Sequence, residues 1–289
     1  MAENDPKTLE IPNHVALVAG PGDLQVLRVE TDSSIAEIFP HGAHVTRFQD
    51  KGEQPLLFLS ESSEYSFGKA IRGGVPVIFP WFGPREGMPA HGTARITPWG
   101  LADSALLPDG SVRLHFRLPS VGGCDLDYHV TVGFSLSLEL TVTNNGGSDF
   151  AFENCLHTYF HIGDIHRIEI VGLEGTSFFD KVSGRETPGS PDPIRISAET
   201  DRIYQDTGSA VEIVDPALRR IIRVRKTGSH STVVWNPWIE KSARMPDFGD
   251  REYLRMVCVE SGNVGENAIT LKPGERSVLG VELDSVPLD

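Results

Sequence analysis

Residues 150–165 read FAFENCLHTYFHIGDI, and this run places two histidines, His157 and His161, four positions apart among aromatic and apolar residues. Such a density of β-forming residues indicates a buried strand, in which an imidazole must be hydrogen-bonded or used in chemistry. The spacing alone permits three interpretations: a metal site, an acid–base catalyst, or a pair of structural histidines.

Strand geometry argues against a metal ion shared by the two histidines. On a strand, His157 and His161 lie on the same face as Glu153, Cys155 and Tyr159. Residues four apart on a strand are separated by about 13 Å, so one ion cannot bind both imidazoles. We therefore expect no metal site at this pair, and a single catalytic or structural histidine.

A carboxylate ends a second apolar run, MVCVE (256–260), where Glu260 shares a strand face with Met256 and Cys258. Apolar surroundings raise the pKa of a carboxyl group and strengthen it as a base. A structural ion pair explains the same pattern, so both interpretations of Glu260 stay open at this point.

The segment GKAIRGGVPVIFPWFGP (68–84) places Arg72 beside Gly73 and Gly74, whose bare backbone permits close approach of a ligand. The prolines that follow are incompatible with a central strand and predict an edge strand or the wall of a cleft. A tight turn carrying a surface arginine is the alternative interpretation.

The segment HGTARITPW (91–99) combines His91, Arg95 and Trp99. An aromatic face beside polar donors suits a sugar, which presents both C–H faces and hydroxyl groups. A loop with a hydrogen-bonded structural histidine accounts equally for the local pattern.

Composition limits the classes of function that the chain can serve. Its 289 residues contain 39% hydrophobic residues and carry a net charge of −14, so we expect neither nucleic acid nor an anionic membrane as a partner. The cysteines Cys124, Cys155 and Cys258 form no CxxC pair, which argues against a zinc ribbon or a disulfide scaffold. The first residues lack the pattern of a signal peptide, and we expect a cytoplasmic protein.

The positioning elements are predicted to be strands. Alternating or β-branched runs occur at 24–30, 34–40, 44–50, 111–118, 127–144, 166–173, 210–216, 220–226, 232–237 and 256–260. No amphipathic helix pattern of ten residues or more separates them, which favours an all-β antiparallel sandwich. The cluster TPGSPDP (187–193) is a candidate linker or a surface loop; we expect one domain over 1–289.

Several segments together resemble one family, the D-hexose-6-phosphate mutarotases of the aldose 1-epimerase superfamily. They are IRGGVPVIFPWFGP, HGTAR, LHTYFHIGDI, DRIY (201–204), and VVWNPWIEKSARMPDFGDREYLRMVCVE with the later LKPGE. The matching motifs extend from about residue 68 to 275. The resemblance implies a single large antiparallel β-sandwich of the galactose mutarotase type, in agreement with the strand pattern.

The resemblance also implies roles for individual residues. His157 matches the general acid of the family and Glu260 its general base, and no metal or other cofactor is required. The residues implied to bind substrate are Arg72 and Arg95 at the phosphate, and His91 and Asp201 at the sugar. Thr93 stands where the family commonly has an aromatic residue, which weakens the prediction of the exact hexose.

The expected function is interconversion of the α and β anomers of a hexose 6-phosphate, D-glucose 6-phosphate first, by acid–base ring opening. The expected partner is this small sugar phosphate, and the expected assembly is a monomer or a weak dimer. Alternatives are a mutarotase for free aldoses and a non-catalytic carbohydrate-binding or regulatory sandwich. A metal-dependent sugar isomerase lacks a ligand set at suitable spacing. His161 is left with a structural role.

Overall fold

The computed structural model describes residues 9–288, and strands form most of its regular structure. In chain order the strands are β1 (Val15–Ala19), β2 (Gln25–Glu30), β3 (Ser34–Phe39), β4 (His44–Asp50), β5 (Val77–Ile78), β6 (Gly100–Leu106), β7 (Val112–Val121), β8 (Cys124–Val132), β9 (Leu136–Asn144), β10 (Phe150–Phe152), β11 (Asn154–Leu156), β12 (Tyr159–His161), β13 (Glu169–Val171), β14 (Phe178–Asp180), β15 (Arg185–Thr187), β16 (Thr200–Gln205), β17 (Val211–Asp215), β18 (Arg220–Thr227), β19 (Ser231–Asn236), β20 (Met256–Asn263), β21 (Ile269–Leu271) and β22 (Arg276–Pro287). Within the described residues, the helical segments are α1 (Trp238–Ser242) and three 3-10 turns (Ala94–Ile96, Glu252–Arg255, Gly265–Asn267). The expectation about a signal peptide falls mainly on residues 1–8, which lie outside the described residues.

One large antiparallel sheet has eight strands in the order β13-β17-β18-β22-β9-β8-β7-β6. Along β8 and β9 every second residue is buried, because one face of this sheet packs on the core while the other meets solvent. The side chains of Leu126, Tyr128, Val130 and Leu140 all belong to that core. The alternation read in the sequence therefore marks the inner face of this sheet.

The second eight-stranded sheet follows the path β15-β14-β16-β19-β20-β11-β5, and β12 also pairs with β20. Its central strands β19 and β20 are buried along their whole length, because both of their faces are covered. Leu156, Val234 and Val259 point into the core shared with the first sheet. The opposite face of this sheet carries the polar residues of the candidate site.

A smaller antiparallel sheet, β1-β2-β3-β4, adds Ile38, Val45 and Phe48 to the same hydrophobic core. The architecture confirms the predicted all-β sandwich.

Most predicted strands are observed, and the differences have local causes. The run 127–144 is two strands, since it turns at 133–135 between β8 and β9. The proline-rich segment contributes only β5, at the edge of its sheet, as predicted. The long strand β22 was missed. In the predicted linker or loop at 187–193, Thr187 ends β15 and residues 188–193 form a mostly exposed loop.

No helix in residues 9–288 combines the length and the apolar character needed to cross a membrane.

Candidate active site

The pairing of β11 and β12 with β20 brings His157 and Glu260 together. Leu156 lies opposite Ser261 and Tyr159 lies opposite Cys258, so the same register places His157 across from Glu260. Their side chains touch, with His157 Nε2 3.3 Å from Glu260 Oε1. The backbone register of two neighbouring strands therefore sets the geometry of this pair.

The imidazole of His157 lies in a largely aromatic setting. Its ring stacks on that of Tyr159 with centroids 4.8 Å apart, and the Trp235 ring lies at 77° to it with centroids 6.3 Å apart. Burial lowers the pKa of His157 well below its usual value, and the positive groups of Arg95 and Arg72 lower it further, as does neighbouring His91. His157 is thus held neutral unless a proton is supplied within the site.

Glu260 is the complementary member of the pair, and its side chain is 1% exposed. The Cys155 thiol donates to its Oε2 over 3.5 Å. Burial raises the pKa of Glu260 well above its usual value, and Asp201 raises it further, while Lys181 acts in the opposite direction. Burial thus favours a neutral carboxyl group beside the neutral imidazole of His157, and these two groups share one proton.

A cavity of ≈ 320 Å³ opens above this pair. All six residues predicted for the site line it: Arg72, His91, Arg95, His157, Asp201 and Glu260. A volume of this size is at the lower end of the range for small-molecule sites, which begins at roughly 300 Å³.

The loop after β5 supplies His91. Gly92 has φ +72°, and a Cβ there would lie 2.0 Å from the carbonyl oxygen of Phe79, so glycine is required. The backbone N–H of Gly83 donates to His91 Nδ1 over 3.3 Å, which places the imidazole proton on Nε2. Burial, with help from nearby Arg95, lowers the pKa of His91 to about 3. His91 is therefore a neutral hydrogen-bond donor at the cavity wall.

The two arginines of the cavity differ in how many of their guanidinium N–H groups have hydrogen-bond acceptors. Arg72 donates to Asp247 through Nε (3.1 Å) and Nη2 (2.9 Å), and to the Tyr159 hydroxyl through Nη1 (3.0 Å). Arg95 donates through Nη2 to the carbonyl of Ala90 (2.8 Å), while its buried Nε has no hydrogen-bond partner among the described residues. Burial lowers the pKa of Arg95 to about 10, so it stays charged at neutral pH.

Two lysines that the sequence analysis did not select complete the cavity. Lys181 Nζ lies 3.2 Å from Asp201 Oδ2 and 5.3 Å from the centre of the Phe82 ring. Lys241 Nζ lies 2.8 Å from Glu199 and 3.9 Å from Asp201. A carboxylate such as Asp201 in a cavity is expected to have a cation nearby. However, the sequence around Lys181 and Lys241 contains no motif that identifies either lysine as that cation.

Comparison with known proteins agrees with this arrangement. The family model described as aldose 1-epimerase matches residues 25–283.

The chain belongs to the aldose 1-epimerase family. As an aldose 1-epimerase, it is an enzyme that interconverts the anomers of a sugar.

Relatives of this epimerase include a Cenchrus ciliaris protein proposed to be a glucose-6-phosphate 1-epimerase. It is 35% identical over 96% of this chain and 90% of its own length. A crystal structure from Salmonella typhimurium, proposed to be a mutarotase, has a TM-score of 0.88 at 30% identity and covers 95% of this chain and 94% of that one. A galactose mutarotase-like protein from Clostridium acetobutylicum shares the fold, with a TM-score of 0.69 at 12% identity, over 94% of this chain and 98% of that one.

Other residues of the epimerase whose types suit chemistry lie outside the cavity that contains His157 and Glu260. Trp99 does not offer a face to a sugar, because it is 3% exposed in the core and donates to the Ala94 carbonyl. Glu153 accepts from the backbone N–H of Phe82 (2.8 Å) and so fixes the loop above the pair. Thr93 is not among the residues that line the cavity.

His161 lies on a separate and larger groove of ≈ 1100 Å³, together with Leu57 and Glu252. Glu252 in this groove is already bound by the hydroxyl of Ser60 and the backbone of Glu61. The smaller cavity is the stronger candidate for the active site of the epimerase, because the buried contact between His157 and Glu260 lies in it and not in the larger groove.

Proposed function

We propose that the enzyme interconverts the α and β anomers of a hexose 6-phosphate, with D-glucose 6-phosphate as the first candidate. The observation that carries this proposal is the contact between His157 and Glu260 in a cavity that also contains Arg72 and Arg95. The name given to the Cenchrus ciliaris relative supports the same substrate.

Anomer exchange needs one proton removed from the C1 hydroxyl and one delivered to the ring oxygen. Both oxygens are bonded to the same carbon, so a donor and an acceptor that are neighbours can reach both of them. His157 Nε2 and Glu260 Oε1, 3.3 Å apart, are such neighbours. The ring then opens to the aldehyde, the C1–C2 bond rotates, and the ring closes on the other carbonyl face.

The single proton shared by the pair balances the reaction. Transfer of the shared proton from Glu260 to His157 gives the reactive form, in which the Glu260 carboxylate takes the proton of the C1 hydroxyl while the His157 imidazolium protonates the ring oxygen. This leaves a neutral carboxyl group and a neutral imidazole, which is the form that burial favours. Ring closure reverses both transfers, so the pair returns to its starting form without a proton from solvent.

The remaining polar groups of the cavity suit the rest of the substrate. The free Nε of Arg95 provides a donor that a phosphate oxygen can satisfy, and its positive charge is paired with no carboxylate in the described residues. We assign the sugar hydroxyls to the Nε2 proton of His91 and the carboxylate of Asp201, because both side chains line the cavity. A local positive field thus arises in a chain whose net charge is −14.

One observation favours free aldoses as a second candidate substrate class. Asp247 already occupies two nitrogens of Arg72, so that arginine has little unused charge for a phosphate. Under this alternative, Arg72, held by Asp247, positions Tyr159 through its hydrogen bond to the Tyr159 hydroxyl, and Arg95 binds a sugar hydroxyl.

Exchange NMR tests both candidates, with the enzyme at catalytic concentration and glucose 6-phosphate, glucose and galactose as parallel substrates. We expect the exchange rate of glucose 6-phosphate to rise far more than that of the two free sugars. Equal acceleration of glucose and glucose 6-phosphate would transfer the assignment to free aldoses. Spontaneous rates for all three sugars would contradict an activity on them.

A further inference from the structure

Cys258 lies beside the catalytic pair and has no part in the proposed proton transfers. The ligating atoms of His157, Cys258 and Glu260 all lie within 4.8 Å of one another, and all three residues are buried. Cys258 and Glu260 share one face of β20, and the pairing with β11 and β12 brings His157 to the same point. An imidazole nitrogen, a thiol and a carboxylate are the three side-chain ligand types that Zn²⁺ prefers.

The distances match what a tetrahedral ion requires. Bonds of about 2.0–2.2 Å to nitrogen and oxygen at a tetrahedral angle put those two atoms roughly 3.3 Å apart. His157 Nε2 and Glu260 Oε1 are already separated by 3.3 Å. The longer bond of about 2.3 Å to sulfur puts Sγ roughly 3.6 Å from the other ligands. The three ligand atoms lie within 4.8 Å of one another, so the thiol has to approach by up to about 1 Å for the ion to bind.

We infer that these three residues form a capture site for a thiophilic divalent cation such as Zn²⁺, and that its occupation switches the enzyme off. This site is distinct from the shared metal rejected for His157 and His161, and the ion is an inhibitor rather than a cofactor. The inhibition part of the inference rests on the proposed function, whereas the binding part does not.

Charge and access both permit the ion to enter. Binding releases two protons to solvent, one from the Cys258 thiol and the one that His157 and Glu260 share, so one thiolate and one carboxylate neutralise the two charges of the ion. His157 and Glu260 line the cavity, so the ion reaches them from the side on which substrate enters. Three protein ligands leave the fourth position open towards the cavity, for a water molecule or a sugar hydroxyl.

Inhibition follows from which atoms the ion occupies. His157 Nε2 and Glu260 Oε1 are the atoms that exchange protons with the ring oxygen and the C1 hydroxyl in the proposed reaction. An ion bound to both removes the base and the acid together, and a chelator restores them.

Binding is tested directly with Co²⁺ as a spectroscopic probe of the metal-free protein. We expect one Co²⁺ per chain, a thiolate-to-cobalt charge-transfer band, and loss of that band when Zn²⁺ is added. Cys258→Ala and Cys258→Ser should abolish the band, whereas Cys124→Ala, a buried cysteine in the other large sheet, should keep it. Absence of a thiolate band in the unmodified protein would overturn the inference, whatever its activity.

Inhibition is tested by the rate of anomer exchange at increasing Zn²⁺. Removal of a partner that merely orients a metal ligand weakens affinity by about 10–100-fold, so loss of a ligand itself should be at least as severe. We expect Cys258→Ala to exchange anomers normally without metal and to need at least about tenfold more Zn²⁺ for half inhibition. Cys124→Ala should retain the sensitivity of the unmodified enzyme. Equal sensitivity in Cys258→Ala, with thermal denaturation showing a folded protein, would refute the site.

Discussion

Arg72 is bound by Asp247 through two of its guanidinium nitrogens, at 3.1 and 2.9 Å. Arg95 faces the same cavity with a buried Nε that no described residue accepts from. The family resemblance implies the same role for both arginines, at the phosphate. In the structure they differ in the unpaired charge that is available to a ligand. Arg95 is the better candidate for the main contact with a phosphate.

Arg95→Met should weaken binding of a phosphorylated sugar more than Arg72→Met does. A hydrogen bond to a charged group is worth about 1.5–3 kcal/mol, so we expect KM for glucose 6-phosphate to rise about 10- to 100-fold in Arg95→Met. The KM for free glucose serves as the internal control and should change little. An equal rise for both sugars would remove the phosphate assignment, and a larger effect of Arg72→Met would reverse the ranking.

His157→Asn and Glu260→Gln should each abolish most of the acceleration, because each removes one partner of the proton exchange. General acid–base groups contribute about 10²–10⁴-fold, so a loss of that order is expected in the NMR exchange rate. His161→Asn is the matched control, since His161 lies nearby in the chain but on a different groove. A near-normal rate in His157→Asn or Glu260→Gln would exclude that residue from the mechanism.

Lys181→Met and Asp201→Asn should move the pH–rate profile in opposite directions. Lys181 lowers the pKa of Glu260 and Asp201 raises it. Removing the charge of Lys181 should therefore raise the pKa of Glu260, and removing that of Asp201 should lower it. We expect the profile of kcat/KM to shift to higher pH in Lys181→Met and to lower pH in Asp201→Asn. Shifts in the same direction, or none, would show that the two charges do not act on the catalytic pair.

Acidification should destabilise the fold through buried neutral histidines. His44 is 1% exposed and its Nε2 contacts the carbonyl oxygen of Gly73 at 2.7 Å, while burial lowers its pKa to about 3. The unfolded chain takes up this proton near pH 6.5, so stability is present above that pH and is lost as the pH falls towards 3. Each such histidine contributes up to about 1.4 kcal/mol per pH unit.

Urea denaturation at a series of pH values from 7.5 to 4 checks this expectation. His44→Gln keeps a donor for Gly73 but cannot titrate, so its free energy of unfolding should fall less steeply with pH than that of the unmodified chain. Parallel slopes would show that His44 does not contribute to the acid sensitivity.

The local pattern of the sequence predicts the sandwich well where one face of a strand meets water. In β8 and β9 the alternation of apolar and polar residues is visible directly, and the prolines around β5 predict its place at the edge. The strand β22 carries the same alternation, with Leu279, Val281 and Leu283 buried, but Gly280 within the run weakens the strand pattern and the strand was not predicted.

The candidate site could be predicted only in part from local pattern. The spacing of residues did not decide between a functional and a structural role for Glu260 and His91. The family resemblance was needed to identify them as site residues. The contact of His157 with Glu260 depends on the register of strands far apart in the chain, which no local period contains. The sequence placed Cys258 on the same strand face as Glu260, but for the same reason it did not reveal that His157 meets that face or that Lys181 lies close to it.

The pairing of β11 and β12 with β20 separates two tasks that many enzymes combine in the same loops. Glu260 lies on strand β20 and His157 in the two-residue gap between β11 and β12, both of which pair with β20, whereas His91, Arg95 and Phe82 lie on the connection at 80–95. Exchanging that connection for the equivalent one of a relative alters the contacts to the sugar without disturbing the register that holds His157 against Glu260. Under the proposed function, we therefore expect loop grafting at 80–95 to change the sugar contacts of His91 and Arg95 while those of Arg72 and Asp201 stay in place.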